Sequence, residues 1–284
     1  MANRQQISAD ARSLLHISDP HFGRERPSVV QALRALHAEL APRLVIVSGD
    51  LTQRARPAQF DAAQAFLAAL QATATLVIPG NHDVPIYNLL ARLSSPYGRY
   101  RGAFGDLLEP VYQDQEVLVI GVNTSTPRRR VDGEVNAGQV AAVAQRLDQA
   151  TPEQLRIVVV HQPVAVPAGS ERQRLLHGAA EAVPAWVNAG ADLVLGGHIH
   201  LPYVEPLQQH FEGLQRAAWV VHAGTAVSDR LRMDAPNSVN ELRIQRAAGR
   251  PAVSVVRWDF SEAEQRFVVQ GETRLEPDRA VALV

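Results

Sequence analysis

Five short polar clusters, Asp19-Pro20-His21, Gly49-Asp50, Gly80-Asn81-His82-Asp83, His161 and Gly197-His198-Ile199-His200, each close an apolar run. That pairing limits the folds open to the chain more than any other feature. The runs at 14–18, 44–48, 76–79, 157–160 and 193–195 are short, apolar and bounded by turn signals, so they read as buried strands. Parallel strands in an α/β sheet present their carboxyl ends to one crevice. Carboxylates, imidazoles and an amide oxygen spread over roughly 180 positions can therefore meet at one site.

Helical patterns separate the early runs. Over 28–40, Val29, Leu33, Leu36 and Leu40 share one face, and Ser28 with Gln31 reads as a capping box. Over 57–70, Pro57 suits the first turn, and Phe60, Ala63, Leu67 and Leu70 form the buried face. This alternation predicts βαβ units and a largely parallel sheet. Residues 84–112 loosen into a rim insertion with four tyrosines and several arginines. A strand at 117–122 and helices over 139–149 and 172–188 follow. Beyond 203, runs at 219–221, 241–244, 253–258 and 266–269 are short and partly alternating, which suggests antiparallel strands of a second sheet. The length of 284 residues suits one large α/β domain spanning 1–284, with a loosely attached tail from 272.

Composition removes several classes of function. A formal net charge of −1 gives no global argument for nucleic acid or an anionic membrane as the main partner. All 28 basic side chains are arginine, which reflects coding bias rather than chemistry. The absence of cysteine excludes disulfides, thiolate zinc sites and cysteine nucleophiles. The polar N-terminal segment lacks the apolar core of a secretory signal, and no run approaches the ~20 residues of a membrane span. The expectation is a cytoplasmic protein.

Divalent cations bind carboxylate oxygen, imidazole nitrogen and amide oxygen, and a metal pair needs a short anionic ligand between its members. Asp50 is the candidate bridge. Asp19 and His21 lie two apart past a strand end, and His198 and His200 repeat that spacing behind Gly196-Gly197, where the backbone can approach closely. Asn81 adds a neutral oxygen. Each cluster alone has an ordinary reading, as a turn carboxylate, a surface imidazole or a hydrogen-bonded core histidine. Five of them in order, each at a strand end, carry the functional one.

With these motifs the chain resembles the calcineurin-like metallophosphoesterase superfamily, whose pattern runs Asp-x-His, Gly-Asp, Gly-Asn-His-(Asp/Glu), His and Gly-His-x-His. The resemblance implies a four-layer αββα sandwich of two mixed sheets. It implies a first metal on Asp19, His21 and His200, a second on Asn81, His161 and His198, and Asp50 on both. The stretches 224–228 and 236–240 are similar, less specifically, to the branch containing class III cyclic-nucleotide phosphodiesterases. Manganese or iron, and also zinc, suit such a ligand set.

Two such ions can turn a bridging water into a hydroxide nucleophile and clamp an in-line displacement at phosphorus. His82 resembles the family histidine that serves the leaving alkoxide. Asp83 either orients His82 or caps the following segment, and His222 ends a strand as the ligands do. The expected substrate is a small-molecule phosphodiester, with cyclic nucleotides as one class. Alternatives are a nucleotide or nucleotide-lipid pyrophosphatase, a phosphomonoesterase, a repair nuclease, or a metal-dependent scaffold without catalysis. Lipid-A-type pyrophosphatases of the family usually carry Arg where this chain has His82. Substrate-binding residues stay unassigned. Rim candidates are Tyr87, Arg92, Tyr97, Arg99, Tyr100, Arg101 and the loop 123–130, which read equally well as a solvated surface over packed tyrosines. The insertion and the C-terminal strands offer surfaces for a homodimer.

Overall fold

The computed structural model describes residues 13–86, 88–167, 175–247 and 250–278. The chain opens as a βαβαβ run: β1 (Ser13–Ile17), α1 (Pro27–Leu40), β2 (Leu44–Val47), α2 (Pro57–Leu70) and β3 (Thr75–Val77). These three strands pair in parallel, with Leu14 opposite Leu44 and Val45 opposite Thr75. The insertion holds two short helices, α3 (Leu89–Ser94) and α4 (Gly98–Phe104). A second sheet is built from β4 (Val111–Gln113), β5 (Val117–Gly121), β6 (Leu155–Val159), β7 (Leu193–Gly196), β8 (Tyr203–Pro206) and β9 (Trp219–His222). Helices α5 (Ala137–Asp148) and α6 (Ala179–Asn188) cross over between its strands. The chain then returns through β10 (Ser238–Ala247), β11 (Arg250–Ser261) and β12 (Arg266–Leu275).

The strand orders are β12-β11-β10-β1-β2-β3 and β4-β5-β6-β7-β9-β8, so both sheets are mixed. Period-two alternation sends β1 residues Leu15 and Ile17 outward against α1 and α2, while Leu14 faces the other sheet. Val158 and Val194 pack outward against Leu147, Val183 and Trp186, while Ile157 and Leu193 face inward. Burial on both faces explains why these strands read as continuous apolar runs. The layers are helix, sheet, sheet, helix, the four-layer sandwich the resemblance implied. Among the described residues no helix is long and apolar enough to cross a membrane.

Four features differ from the sequence reading. Of the runs beyond 203, the one at 219–221 lies in the second sheet as β9, but those from 241 on do not; β10 pairs with β1 and extends the first sheet. Alternation gives a strand its two faces but does not choose its neighbour. The tail reading fails over its first residues, because β12 runs on to Leu275, which pairs with Val253 and is buried between the sheets. Helix α1 starts two residues earlier than the Ser28 box required, with Arg26 as an N-cap that makes no side-chain cap bond. The helical reading over 172–188 survives only from Ala179, and residues 172–174 lie outside the described residues.

Candidate metal centre

The parallel strands of both sheets end at one edge, and each hands a polar turn to it. Asp19 and His21 follow β1, Asp50 follows β2, Asn81 to Asp83 form a 3-10 turn after β3, His161 follows β6, and His198 and His200 follow β7. All seven predicted ligand residues are buried there. One group joins Asp19, His21 and His200, and a second joins Asp50, His161 and His198, with the donor atoms of each group within 4.8 Å of one another. Asn81 Oδ1 lies 3.1 Å from His161 Nε2, which places it in the second group. Asp50 faces both: its Oδ1 is 3.3 Å from His161 Nε2 and its Oδ2 is 3.6 Å from His21 Nε2.

The donor set demands positive charge at its centre. His161 Nδ1 donates to the Ser48 carbonyl (2.7 Å) and His200 Nδ1 to the Arg230 carbonyl (2.6 Å), so each ring turns its Nε2 inward, free to ligate when it carries no proton. There His200 Nε2 lies 3.0 Å from His21 Nε2 and 3.3 Å from Asp19 Oδ1, an acceptor atom for which no hydrogen-bond donor is in place. Acceptors facing acceptors repel unless a cation or proton lies between them. Burial opposes protonation of His161, yet the Asp50 carboxylate beside it raises its pKa to about 9. Burial also opposes ionisation of Asp50, but His161 and His82 hold it well below the ordinary carboxylate range. Burial drives His21 well below the imidazole range, which keeps it neutral and able to ligate. Two ions would satisfy all of these groups at once, and the residues fit them.

Behind the donors lies a fixed framework. Asp19 Oδ2 accepts from Ser18 Oγ (2.6 Å) and from the His198 backbone N–H (2.8 Å), leaving only Oδ1 for the centre. Ser48 Oγ donates to Ser18 Oγ (2.8 Å), and His16 Nε2 closes the chain on Ser48 Oγ at 2.9 Å. Asp83 is neither of the things expected of it. Its carboxylate accepts from the N–H groups of Leu51, Thr52 and Gly80 and from Thr52 Oγ1, tying the turn after β2 to the turn after β3. Burial and the nearby Asp50 charge push Asp83 up to about 7, against those four donors, which favour its anion. The stretch 224–228 supports the turn after β1: Thr225 Oγ1 donates to the Asp19 carbonyl (2.6 Å) and Ala226 N–H to that of Ser18 (2.9 Å). Asn237 Nδ2 in turn holds the carbonyls of Thr225 and Ser228.

The backbone carries the signature of a built site. Asp19, His21, Asp50, His198 and His200 all have positive φ, between 46° and 73°. That region is sparsely populated by non-glycine residues, costs of order 1–3 kcal/mol each and persists where surrounding contacts over-determine it. A Cβ at Gly197 would sit 1.8 Å from Ser18 Oγ, so only glycine lets the His198 turn close on Asp19.

His82 is held at the open side. Its Nδ1 donates to the Gln53 carbonyl (2.8 Å), its backbone N–H donates to Asp50 Oδ1 (2.7 Å), and its ring stands edge-on to His21. Its Nε2 accepts from the guanidinium of Arg230 (3.2 Å), whose same nitrogen is 3.3 Å from Gln53 Oε1. Arg230 is a site residue that sequence reasoning missed. It sits in the loop between β9 and β10, and only the neighbouring 224–228 similarity hinted at that region.

His222 does not meet the donors. Its ring stacks on Tyr203 (4.6 Å between centroids) over Gly196, and burial holds its pKa down to about 3.

Of the rim candidates, Arg92 is buried and donates to the carbonyls of Pro85, Pro127 and Arg129, which fastens the insertion to the loop 123–130. Tyr97 Oη donates to the Ser125 carbonyl and Tyr100 Oη to Val77 on the edge strand β3. These three are structural. Arg99 donates to the Ala55 carbonyl, Arg101 is exposed, and Tyr87 lies outside the described residues.

A family model described as calcineurin-like phosphoesterase matches residues 12–202. A Synechococcus protein named as a probable cyclic nucleotide phosphodiesterase is 28% identical over 168 residues, which is 58% of this chain and 60% of that protein. The chain thus spans somewhat under two thirds of the length of that curated relative. Among solved structures, a zebrafish (Danio rerio) dimetal phosphatase aligns with a TM-score of 0.60 at 13% identity, over 87% of this chain and 95% of its own. A purple acid phosphatase from yellow lupin seeds aligns at 0.63 and 12% identity, over 93% and 53%. At such identities these two speak for the fold alone.

Proposed function

The chain belongs to the calcineurin-like phosphoesterase family, and from that premise we propose that it is a dinuclear-metal phosphodiesterase acting on small molecules, cyclic nucleotides among them. One observation carries the reading: a single carboxylate, Asp50, faces two separate groups of inward-turned donors. Asp19, His21 and His200 would hold a first ion and Asn81, His161 and His198 a second, with Asp50 placed to serve both groups. When bound, the pair activates water as the nucleophile and offsets the charge developing on the phosphoryl oxygens. Manganese or iron is the expected pair, with zinc also compatible.

The protein's own part is positioning and proton delivery. The strained turns hold the donors in place before substrate arrives, so little reorganisation is needed during reaction. His82 keeps its Nε2 toward the open side because Nδ1 is engaged by Gln53. Once Arg230 turns from Nε2 to the substrate's phosphoryl oxygens, Nε2 takes up a proton from solvent at the open side, and the imidazolium passes that proton to the leaving oxygen and returns to its neutral Nδ1–H form. The name of the Synechococcus relative supports diesters, and cyclic nucleotides in particular.

The test is to strip the protein of metal, restore manganese, iron or zinc separately, and compare bis(p-nitrophenyl) phosphate, cyclic AMP and p-nitrophenyl phosphate. Diester turnover above monoester turnover is expected. Faster monoester hydrolysis would make it a phosphomonoesterase, and inactivity on all three after full loading would leave the scaffold reading.

A further inference from the structure

Two grooves that share Arg54 and Arg56 open beside the donors. The nearer, of about 340 Å³, is lined by Gly23, Arg24, Gln53, Arg54, Arg56, Gln59 and Arg230. Its walls belong to the site itself: Gly23 is two residues past His21, the Gln53 carbonyl holds His82, and Arg230 touches His82 Nε2. The farther, of about 300 Å³, continues past Arg54 and Arg56 to Arg99 and Asn88. Each volume falls at the lower end of what small-molecule sites occupy.

The charge is one-sided. No acidic side chain lines either groove, on a chain whose charges otherwise balance to −1. Arg24 is offset by Asp229 (2.8 Å). Among the described residues Arg56, Arg99 and Arg230 face no carboxylate, and the first turn of α2, which follows Arg56, carries no acid. The matching position before α1 makes the contrast, because Arg26 is paired with Glu262 at 2.6 Å. Like charges gathered in a concavity raise the local concentration of anions, and guanidinium forks match phosphate oxygens in pairs.

We infer that this groove binds a second phosphoryl group of the substrate, remote from the one that is cleaved, with Arg56 as its principal contact and Arg230 at the junction. The inference rests on the phosphoester-hydrolase reading above and narrows its substrate class: phosphoesters that carry an additional phosphate are preferred over otherwise identical ones that do not.

The test uses a matched pair, thymidine 5′-(p-nitrophenyl phosphate) with and without a 3′-phosphate, on manganese-loaded protein. The phosphorylated member is expected to show a kcat/KM about tenfold higher, through KM, as one charge-assisted contact supplies. Salt at about 0.5 M should erase most of the gain. Arg56→Glu should bring the pair to within about twofold, with the loss falling on the KM of the phosphorylated member, and Arg56→Gln should fall between. Calorimetry with adenosine 3′,5′-bisphosphate against AMP gives a readout independent of turnover, with the same gap expected in the parent and its loss in Arg56→Glu. Equal kcat/KM for the pair, or a gap that survives Arg56→Glu, would overturn the groove assignment while leaving the hydrolase reading intact. If neither compound is hydrolysed the hydrolase reading fails, and the calorimetric comparison alone decides whether the groove takes a phosphate.

Discussion

The floor of the site and its rim are built on opposite terms. On the floor, Asp19, His21 and His161 have no exposed surface, and Asp19 Oδ2 and His161 Nδ1, turned from the centre, are each engaged by a neighbour. On the rim, Arg24, Arg54, Arg56 and Arg99 are exposed. The comparison separates two kinds of information. On the proposed reading, reaction chemistry would be fixed by buried atoms a few ångströms apart, and selection among substrates would be left to long, exposed side chains whose contribution is gained only when a ligand desolvates them.

The largest expected effect breaks the floor at its shared member. Asp50→Asn should bring diester turnover to background and lower the metal content measured by mass spectrometry; full activity with two bound equivalents would end the bridging assignment. His82→Ala should lower turnover by ~10²–10⁴-fold with metal content unchanged. Loss of metal in that variant would move His82 from proton delivery to ligation.

Acid should find the floor before the rim. His16 and His222 are held by burial at about 3, against an ordinary imidazole near 6.5 in the unfolded chain. Their folded-state pKa values are depressed, so the stability they permit is fully present above about pH 6.5 and drains as pH falls towards 3, by about 1.4 kcal/mol per pH unit per group. Denaturant midpoints of the metal-free protein between pH 7 and 4 should show that slope, and His222→Gln should flatten it. An unchanged slope would mean that other groups dominate.

Ser18→Ala interrupts the hydroxyl chain beneath Asp19 without touching a donor, and should weaken metal affinity by ~10-fold in a chelator competition. At the small end, Arg101→Ala on the outer rim should change kcat/KM by less than about twofold, as exposed substitutions away from a site do. A larger loss there would blur the boundary between the two regions.

The same division explains what could be read from residues alone. The meeting of the seven candidate ligands and His82 at one edge was legible because each ends a strand, and a parallel sheet collects strand ends by geometry. The strand bodies were legible for the same reason, since burial on both faces leaves an unbroken apolar run. Arg230 was not, because it reaches His82 across a separation of 148 residues from a loop whose position depends on how β10 docks on β1. The pairing of β10 with β1 was itself hidden, as the His16 to Asn240 register is set by tertiary packing and leaves no periodic trace. Arg92 misled in the other direction: an arginine in a polar loop reads as solvated, yet three carbonyls hold this one inside.

The Asp83 clasp has a mechanical consequence. By gripping Leu51, Thr52 and Gly80 at once, it couples the segments that carry Asp50, Asn81 and His82 into a single rigid piece. Neither segment can hinge away alone without stranding a buried anion. If the proposed function holds, accommodation of differently shaped esters would come from the arginine side chains around the opening, while the geometry beneath them travels as one body.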